Sequence, residues 1–194
     1  NDNISHVNTT ITNSRIRLDA NNLWKNWHSA ADYIKRLGLD FLGVEEPLAH
    51  GDFEGMKKFS NSTNTPVILD ESFLRFENFN HIAANPKNWL INLRISKMGG
   101  ILRSIEIANQ AENLGLPLIV GAQVGETSIL SRAALSIANH YRDLVIAQEG
   151  AFGTYLLEKD ITEDPIIFGK GGVLESSSIP TNRYGWGINV RTLE

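Results

Sequence analysis

The chain has 194 residues, which is enough for one domain with a sizeable hydrophobic core. Its formal net charge is −4 and no stretch is strongly basic, which argues against nucleic acid as a partner. There is no cysteine, so disulfides and thiolate chemistry are excluded. No apolar run approaches the roughly 18 residues that a membrane-spanning helix needs, so we expect no membrane partner.

The beginning of the chain is polar and lacks the apolar core of a secretory signal peptide. We predict that residues 1–13 are a disordered or loop lead-in and that residues 14–194 form the folded part. Because nothing suggests secretion, the expected location is the cytoplasm.

Short apolar runs typical of buried strands recur along the folded part, and each is followed by a segment with a helical pattern. The predicted strands begin near residues 16, 42, 67, 91, 118 and 144. The strands are expected at about residues 15–19, 41–45, 66–69, 89–95, 117–120 and 143–147.

Helix boundaries are marked by capping residues. Apolar residues at helical spacing run from Trp27 to Leu37, and Gly38 ends that segment. Asp52 is a predicted N-cap, and so is either Thr127 or Ser128. The Gly-Gly pair at positions 99 and 100 is predicted to open a helix with Ile101, Ile105, Ala108 and Ala111 on one face.

The alternation of strand and helix has a period of about 25 residues, which indicates a parallel sheet in an α/β fold. Such a sheet is either doubly wound or closed into a (β/α)8 barrel of the TIM type. Functional residues at the ends of successive strands favour the barrel, where all strand ends face one mouth. Since six units are fewer than eight, either the sheet is open or the chain lacks the first two units.

Three successive strands run directly into an acidic residue. These acids are Asp19, Glu45 and Asp70, and they lie 26 and 25 residues apart. In a parallel sheet the three carboxylates converge at one edge, and three hard oxygen ligands suit Mg²⁺ or Mn²⁺. One acid at a strand end is more often a helix cap or a loop charge, but three in order at unit spacing favour a metal site.

The order of short motifs along the chain resembles that of the enolase superfamily, with the muconate-lactonizing subgroup as the nearest pattern. The three acidic motifs are similar to the successive metal-ligand strands of that family. Later motifs are similar to its sixth strand, its eighth-strand turn and its closing Gly-x-Gly element. In chain order the motifs are Leu18–Asn21, Val44–Pro47, Leu69–Ser72, Ser96–Ile101, Glu149–Gly153 and Gly185–Ile188.

The resemblance implies that the six strands are the third to eighth of a (β/α)8 barrel. The N-terminal capping domain and the second-strand Lys-x-Lys motif are then absent from the chain, and we expect it to partner that missing region and to form a homo-oligomer. The implied activity is that of an Mg²⁺-dependent isomerase or lyase acting on a small-molecule carboxylate. A base removes the α-proton and the metal stabilises the enediolate, as in a cycloisomerase or a dehydratase.

One position departs from the family pattern. The family's sixth strand carries Lys-x-x-Lys-x-Gly-Gly with a catalytic first Lys, and this chain has Arg94 in that slot and Lys97 in the second. A guanidinium stays protonated, so we interpret Arg94 as an electrostatic stabiliser and not as a base. The alternative is a structural role for Arg94, as a buried ion-pair partner of Glu71 or Asp70. Lys97 is the second catalytic candidate, although an outer charge is the favoured role. The alternative function is a non-catalytic or impaired homologue that binds metal and carboxylate.

Further acids and amides at the strand ends are candidates for binding substrate. Three of them also have a structural explanation: Asn21 turns a loop, Glu126 favours a helix N-terminus, and Glu71 orients a Lys or Arg or is a loop acid. The same two alternatives apply to Glu46. Racemisation is disfavoured because it needs a base on each face of the substrate. A flavodoxin-like phosphoacceptor receiver, the other fold with acids at its strand ends, fits the length of the chain poorly. The substrate-binding candidates are Asn21, Glu71, Gln123, Glu126 and Glu149.

Overall fold

The computed structural model describes residues 15–150, 153–170, 173–174 and 184–191. The chain divides into two compact units, residues 1–91 and 92–194, with the division inside the fourth strand. The predicted lead-in over residues 1–13 lies outside the described residues. Among those that are described, no helix is long and apolar enough to cross a membrane.

The first unit is a series of parallel strands separated by helices. Strand β1 pairs with β2, β2 with β3 and β3 with β4, always in parallel. Two short 3₁₀ turns, Phe76–Asn78 and Pro86–Asn88, flank its last helix. The elements are β1 (Ile16–Asp19), α1 (Trp27–Leu37), β2 (Phe41–Glu45), α2 (Phe53–Thr63), β3 (Val67–Leu69), α3 (Phe79–Ile82) and the start of β4 (Trp89–Leu93).

Local capping explains where the first two helices begin. The Asn26 side chain accepts from the Ser29 backbone N–H at 3.0 Å, and Gly38 ends α1 in the left-handed conformation with φ of 63°. The predicted cap of α2 is confirmed, because the Asp52 carboxylate accepts from the Gly55 N–H at 2.9 Å.

The second unit continues the alternation. The Gly121 N–H donates to the Leu93 carbonyl at 3.0 Å, so β5 joins the end of β4, and β5 pairs with β6 in parallel. Two antiparallel bridges follow, Thr162 with Val190 and Phe168 with Leu174. The elements after β4 are α4 (Ile95–Met98), α5 (Ile101–Leu114), β5 (Leu118–Val120), α6 (Ser128–His140), β6 (Val145–Gln148) and α7 (Gly153–Leu156).

The six strands of the described chain stand in the sheet in sequence order, which confirms the predicted α/β alternation. The predicted fourth strand over residues 89–95 was too long, since β4 ends at Leu93. A one-turn helix starts there, closed by bonds from the N–H groups of Gly99 and Gly100 to the carbonyls of Ser96 and Ile95.

The predicted apolar face of α5 is only partly buried. Ile105 is 37% exposed, whereas Ser104 and Ile107 are buried together with Ala108 and Ala111. Ser104 fits inside because its hydroxyl donates to the Gly100 carbonyl at 2.9 Å. The apolar pattern therefore located the helix correctly, but the residues that are buried coincide only partly with the predicted apolar face.

Candidate active site

The predicted site residues fall into two groups, one in each unit, and each group is described within its own unit. The first unit carries the three proposed metal ligands with Asn21 and Glu71. The second unit carries Arg94, Lys97, Gln123, Glu126 and Glu149.

The backbone brings the three acids of the first unit to neighbouring strand ends. Asp19 and Glu45 are the last residues of β1 and β2 and are register partners in the sheet. Asp70 follows directly after β3. Glu45 is 8% exposed and Asp70 is 5% exposed, whereas Asp19 is exposed. The predicted convergence at one edge of the sheet is therefore present at the level of the backbone.

The donor set suits a hard divalent cation, because it consists of carboxylate oxygens on rigid strand ends. In the part of the chain that is described, no group of three or more acidic or histidine side chains is gathered closely enough to hold a metal ion. Three carboxylates repel one another, and a divalent cation is what would draw them together. The assignment of Asp19, Glu45 and Asp70 as ligands stays a prediction.

Glu46 holds the loop after β3, a role that the sequence did not suggest. Its Oε1 accepts from the backbone N–H groups of Asp70 and Ser72 at 2.8 and 2.9 Å, and its Oε2 accepts from the Ser72 hydroxyl at 2.7 Å. Glu46 is 1% exposed, and its φ is 38°. Burial raises the pKa of Glu46 against the opposing effect of these hydrogen bonds, and the charge of Glu71 adds to the rise.

These contacts bear on the two roles predicted for Glu46, which were to orient a lysine or arginine or to be a loop acid. Its hydrogen bonds come from two backbone amides and a serine hydroxyl, and not from a lysine or arginine. Glu45 is the last residue of β2, whereas Glu46 follows the strand with φ of 38°, so the two adjacent acids leave the strand end in different backbone conformations.

The loop after β1 turns through two left-handed asparagines. Asn21 has φ of 45° and Asn22 has φ of 57°, and the Asn21 N–H donates to Asp19 Oδ1 at 3.0 Å. Asn21 is exposed and turns the loop, which was one of its two predicted roles. Asn22, which the sequence analysis missed, donates through Nδ2 to Glu71 Oε1 at 2.6 Å. This bond links the loops that follow β1 and β3.

In the second unit, Arg94 lies just past the end of β4. It is half-buried and is the N-cap residue of α4, while Lys97 lies on that helix and is also half-buried. Gly121, at the end of β5, leaves room for this arrangement. A Cβ at position 121 would overlap Asn92 Oδ1 and would lie 2.9 Å from the Cγ of Arg94.

Glu126 is a buried acid of this unit, at 9% exposure. Its Oε2 accepts from the Gln123 N–H at 3.0 Å and its Oε1 accepts from the Ser131 hydroxyl at 3.3 Å. Burial raises the pKa of Glu126, and these hydrogen bonds and the positive charge of Arg94 oppose the rise. A small cavity is lined by Arg94, Ile95, Ser96, Gly121, Glu126, Leu130 and Ala134.

The remaining candidates lie nearby in the same unit. Gln123 Nε2 donates to the Ser96 hydroxyl at 3.3 Å, which ties the loop after β5 to α4. Glu149 follows β6, is half-buried, and its N–H donates to the Val120 carbonyl at 2.8 Å. Gly150, which follows Glu149, has φ of 146°, and residues 151–152 of the same motif lie outside the described residues.

The cap of α6 is another contact that the sequence analysis missed. Thr127 occupies the N-cap position but its side chain makes no capping bond. The Ser128 N–H donates instead to Asp160 Oδ2 at 2.9 Å. Since Asp160 lies 32 residues further along the chain, no local pattern could have identified it.

A model of the enolase C-terminal domain-like family matches residues 2–193 of this chain. Among curated proteins, the chain is 29% identical to the N-succinyl-L-Arg/Lys racemase of Bacillus cereus, over 75% of this chain and 39% of that protein. It is 26% identical to the L-Ala-D/L-Glu epimerase of Francisella tularensis subsp. novicida, over 91% of this chain and 48% of that protein. The chain thus spans less than half the length of these two relatives.

Solved structures agree with this match. The substrate-liganded L-Ala-D/L-Glu epimerase from Bacillus subtilis superposes with a TM-score of 0.70 at 28% identity, covering 80% of this chain and 43% of that one. The dipeptide epimerase from Enterococcus faecalis, complexed with Mg and the dipeptide L-Leu-L-Tyr, gives 0.73 at 25% identity, covering 82% and 45%. These likenesses confirm the predicted fold, a part of a (β/α)8 barrel. The named relatives are racemases and epimerases, the class of reaction that the sequence analysis disfavoured.

Proposed function

Because this chain belongs to the enolase superfamily, in the C-terminal domain-like family, we propose that the protein containing it removes the α-proton of a carboxylate substrate through an enediolate intermediate. The observation that carries the proposal is the set of three acids at the carboxyl ends of three successive parallel strands. Asp19 and Glu45 are register partners, and Asp70 follows the neighbouring strand.

In this proposal Asp19, Glu45 and Asp70 hold Mg²⁺, with Mn²⁺ as a substitute. A divalent ion bound there supplies positive charge where the enediolate develops negative charge. Glu46 supports the set by fixing the backbone of Asp70 through a hydrogen bond of 2.8 Å. The Asn22–Glu71 bond keeps the neighbouring loops in place, and Glu71 and Asn21 are proposed to face the substrate.

Arg94 acts in this proposal as a fixed cation. A guanidinium keeps its proton over the whole working range of pH, so it stabilises negative charge and does not carry protons. Glu126 lies close enough to Arg94 for the two charges to interact. This interaction supports a fixed orientation of the guanidinium. The resemblance puts the base on a strand outside this chain, and Lys97, Gln123 and Glu149 complete the proposed set.

The names of the relatives suggest a substrate class. Those proteins act on an N-succinyl amino acid and on dipeptides, both of which are α-amino-acid carboxylates with an acylated nitrogen. We propose the same class here.

With a cation in one base slot, the expected reaction exchanges the α-proton on one face only, as in a one-base isomerase or lyase. The second candidate is epimerisation, which the relatives' names favour.

The test uses the complete protein with Mg²⁺ in D₂O and two probes, an N-succinyl amino acid and a dipeptide. Loss of the α-proton signal by NMR reports exchange, and chiral chromatography reports inversion. Exchange without inversion supports the one-face proposal, and exchange with inversion supports the epimerase. Binding of the probes without any exchange would favour the third possibility, a homologue that binds metal and carboxylate without catalysing the reaction. The cytoplasmic location and the homo-oligomeric state stay predictions.

A further inference from the structure

Asp160 lies in the segment after α7, and its carboxylate reaches the first residue of α6. Its Oδ2 accepts from the backbone N–H and the hydroxyl of Ser128 at 2.9 and 2.8 Å. Its Oδ1 accepts from the backbone N–H and the hydroxyl of Thr162 at 2.9 and 2.8 Å. A single side chain therefore joins the start of α6 to a segment more than thirty residues later in the chain.

Helix α6 needs this contact because its own N-cap residue does not supply one. The first N–H groups of a helix lack partners within the helix, and a carboxylate there also interacts favourably with the helix dipole. The side chain of Thr127 makes no capping bond. The Ser128 hydroxyl in turn accepts from the Ile166 N–H at 2.7 Å. The first turn of α6 is thus fixed from outside the helix.

Ser131, near the start of α6, also contacts the side chain of Glu126. The Glu126 carboxylate accepts from the Ser131 hydroxyl, which is on α6, and Glu126 is only two residues from Ser128. Helix α7 also packs on the backbone of Glu126, since a Cβ at Gly153, the first residue of α7, would overlap the Glu126 carbonyl oxygen. The orientation of the Glu126 carboxylate therefore depends on the position of the α6 N-terminus.

We infer that Asp160 is a positioning residue of the candidate active site, which holds Glu126 beside Arg94 by capping α6 from a distant segment. Its importance for catalysis rests on the proposed function, but its effect on Glu126 does not. When Asp160 is in place, the buried carboxylate of Glu126 and the guanidinium of Arg94 remain neighbours. When the cap is lost, the turn that carries Glu126 opens to water.

The first test measures the complete protein without substrate. Asp160→Asn keeps the size of the side chain but replaces one acceptor oxygen by a donor group. The amides of residues 121–131 should then exchange with D₂O about tenfold faster, the expected effect of losing an N-cap. The pKa of Glu126, followed by the ¹³C signal of its carboxyl group, should fall toward its ordinary value as water reaches it.

Two further variants distinguish a positioning role of Asp160 from a general loosening of the fold. Glu163→Gln alters the exposed carboxylate that accepts from Asn189 Nδ2 at 3.0 Å in the same later segment, and it should leave residues 121–131 and Glu126 unchanged. Ser128→Ala removes the hydroxyl bonds and keeps the N–H bond to Asp160, so its effect should be intermediate. Equal exchange and an unshifted Glu126 in Asp160→Asn would overturn the inference.

The second test uses α-proton exchange under the conditions given above. If Asp160 positions Glu126, then Glu126→Gln should slow the reaction less in the Asp160→Asn background than in the wild type. Fully additive effects of the two substitutions would contradict the positioning role in catalysis. A wild-type protein without exchange would refute the proposed function, while the first test would still decide whether Asp160 holds Glu126.

Discussion

Among single residues, Glu46 supports the predicted site of the first unit, although it is not itself a proposed metal ligand. Glu46 accepts three hydrogen bonds from the loop after β3, and one of them comes from the backbone of Asp70. A buried acceptor that serves several donors is costly to remove, because each donor is left without a partner away from water. Glu46 therefore links the stability of the first unit to the geometry of its acidic strand ends.

Truncation of Glu46 tests this link. Glu46→Ala leaves the N–H groups of Asp70 and Ser72 unsatisfied and should lower the free energy of unfolding by about 3 kcal/mol. Urea denaturation of the complete protein measures the change. Glu54→Ala, which alters an exposed glutamate on α2, is the matched control and should stay within about 0.5 kcal/mol of wild type. A cost for Glu46→Ala as small as that of the control would contradict the structural role.

Substitution of Arg94 tests whether this residue acts as a fixed cation and not as a base. Arg94→Lys keeps the charge but loses the bidentate fork, so we expect weaker substrate binding and no exchange at the second face. Arg94→Met should cost more, since it leaves Glu126 without the neighbouring positive charge. KM, kcat and the rate of inversion of a chiral substrate are the measurements. If Arg94→Lys instead creates rapid inversion, the position is a vestigial base slot and the idea of an impaired homologue gains support.

At the element scale, predictions from the sequence succeeded where the responsible contact is local. Gly38 and Asp52 were identified from their spacing to a helical pattern, because a cap bonds a backbone group only a few residues away. The end of β4 was misplaced because Ile95 continues an apolar run that the chain then folds into a helical turn. The cap of α6 could not be predicted, since Asp160 and Ser128 meet only in the folded chain.

The cap of α6 also gives an expected pH dependence. Burial alone raises the pKa of Asp160, but the hydrogen bonds from Thr162 and Ser128 outweigh it and hold the pKa below its ordinary value. The ionised form is thus favoured in the folded state. Its stabilising contribution is fully present above the pKa of the unfolded chain and is lost as pH falls through the lower pKa of the folded state.

Denaturation of wild type and Asp160→Asn over the acidic range checks this expectation. The difference in the free energy of unfolding should be largest near neutral pH and should shrink as the pH falls below the ordinary range of an aspartate. A difference that stays constant with pH would mean that the Asp160 charge makes no contribution to the stability of the α6 cap.

At the scale of the whole molecule, the order and type of the elements followed from the sequence, and so did the edge at which the acids meet. The side-chain arrangement did not, because it depends on contacts such as Glu46 with Ser72 that join separate loops. The six described strands leave β1 and β6 each with one strand neighbour. Residues of both strands are half-buried, in contrast to the fully buried β3, β4 and β5.

Unpaired strand edges and partly covered apolar faces favour association. We therefore expect the 194-residue chain, expressed alone, to aggregate or to form a tight complex. It should become monodisperse when the remaining barrel strands are supplied. Size-exclusion chromatography with light scattering measures this. A monodisperse monomer that unfolds cooperatively would count against the prediction that two barrel strands are missing.

We predict that Asp19, Glu45 and Asp70 bind one divalent ion. Titration of the complete protein with Mn²⁺, followed by electron paramagnetic resonance of the free ion, measures this binding without any substrate. We expect a single site that Mg²⁺ competes for and that Asp70→Ala abolishes, while Asp40→Ala, at a surface aspartate before β2, leaves it intact. Unchanged Mn²⁺ binding in Asp70→Ala would contradict the metal assignment and, with it, the proposed chemistry.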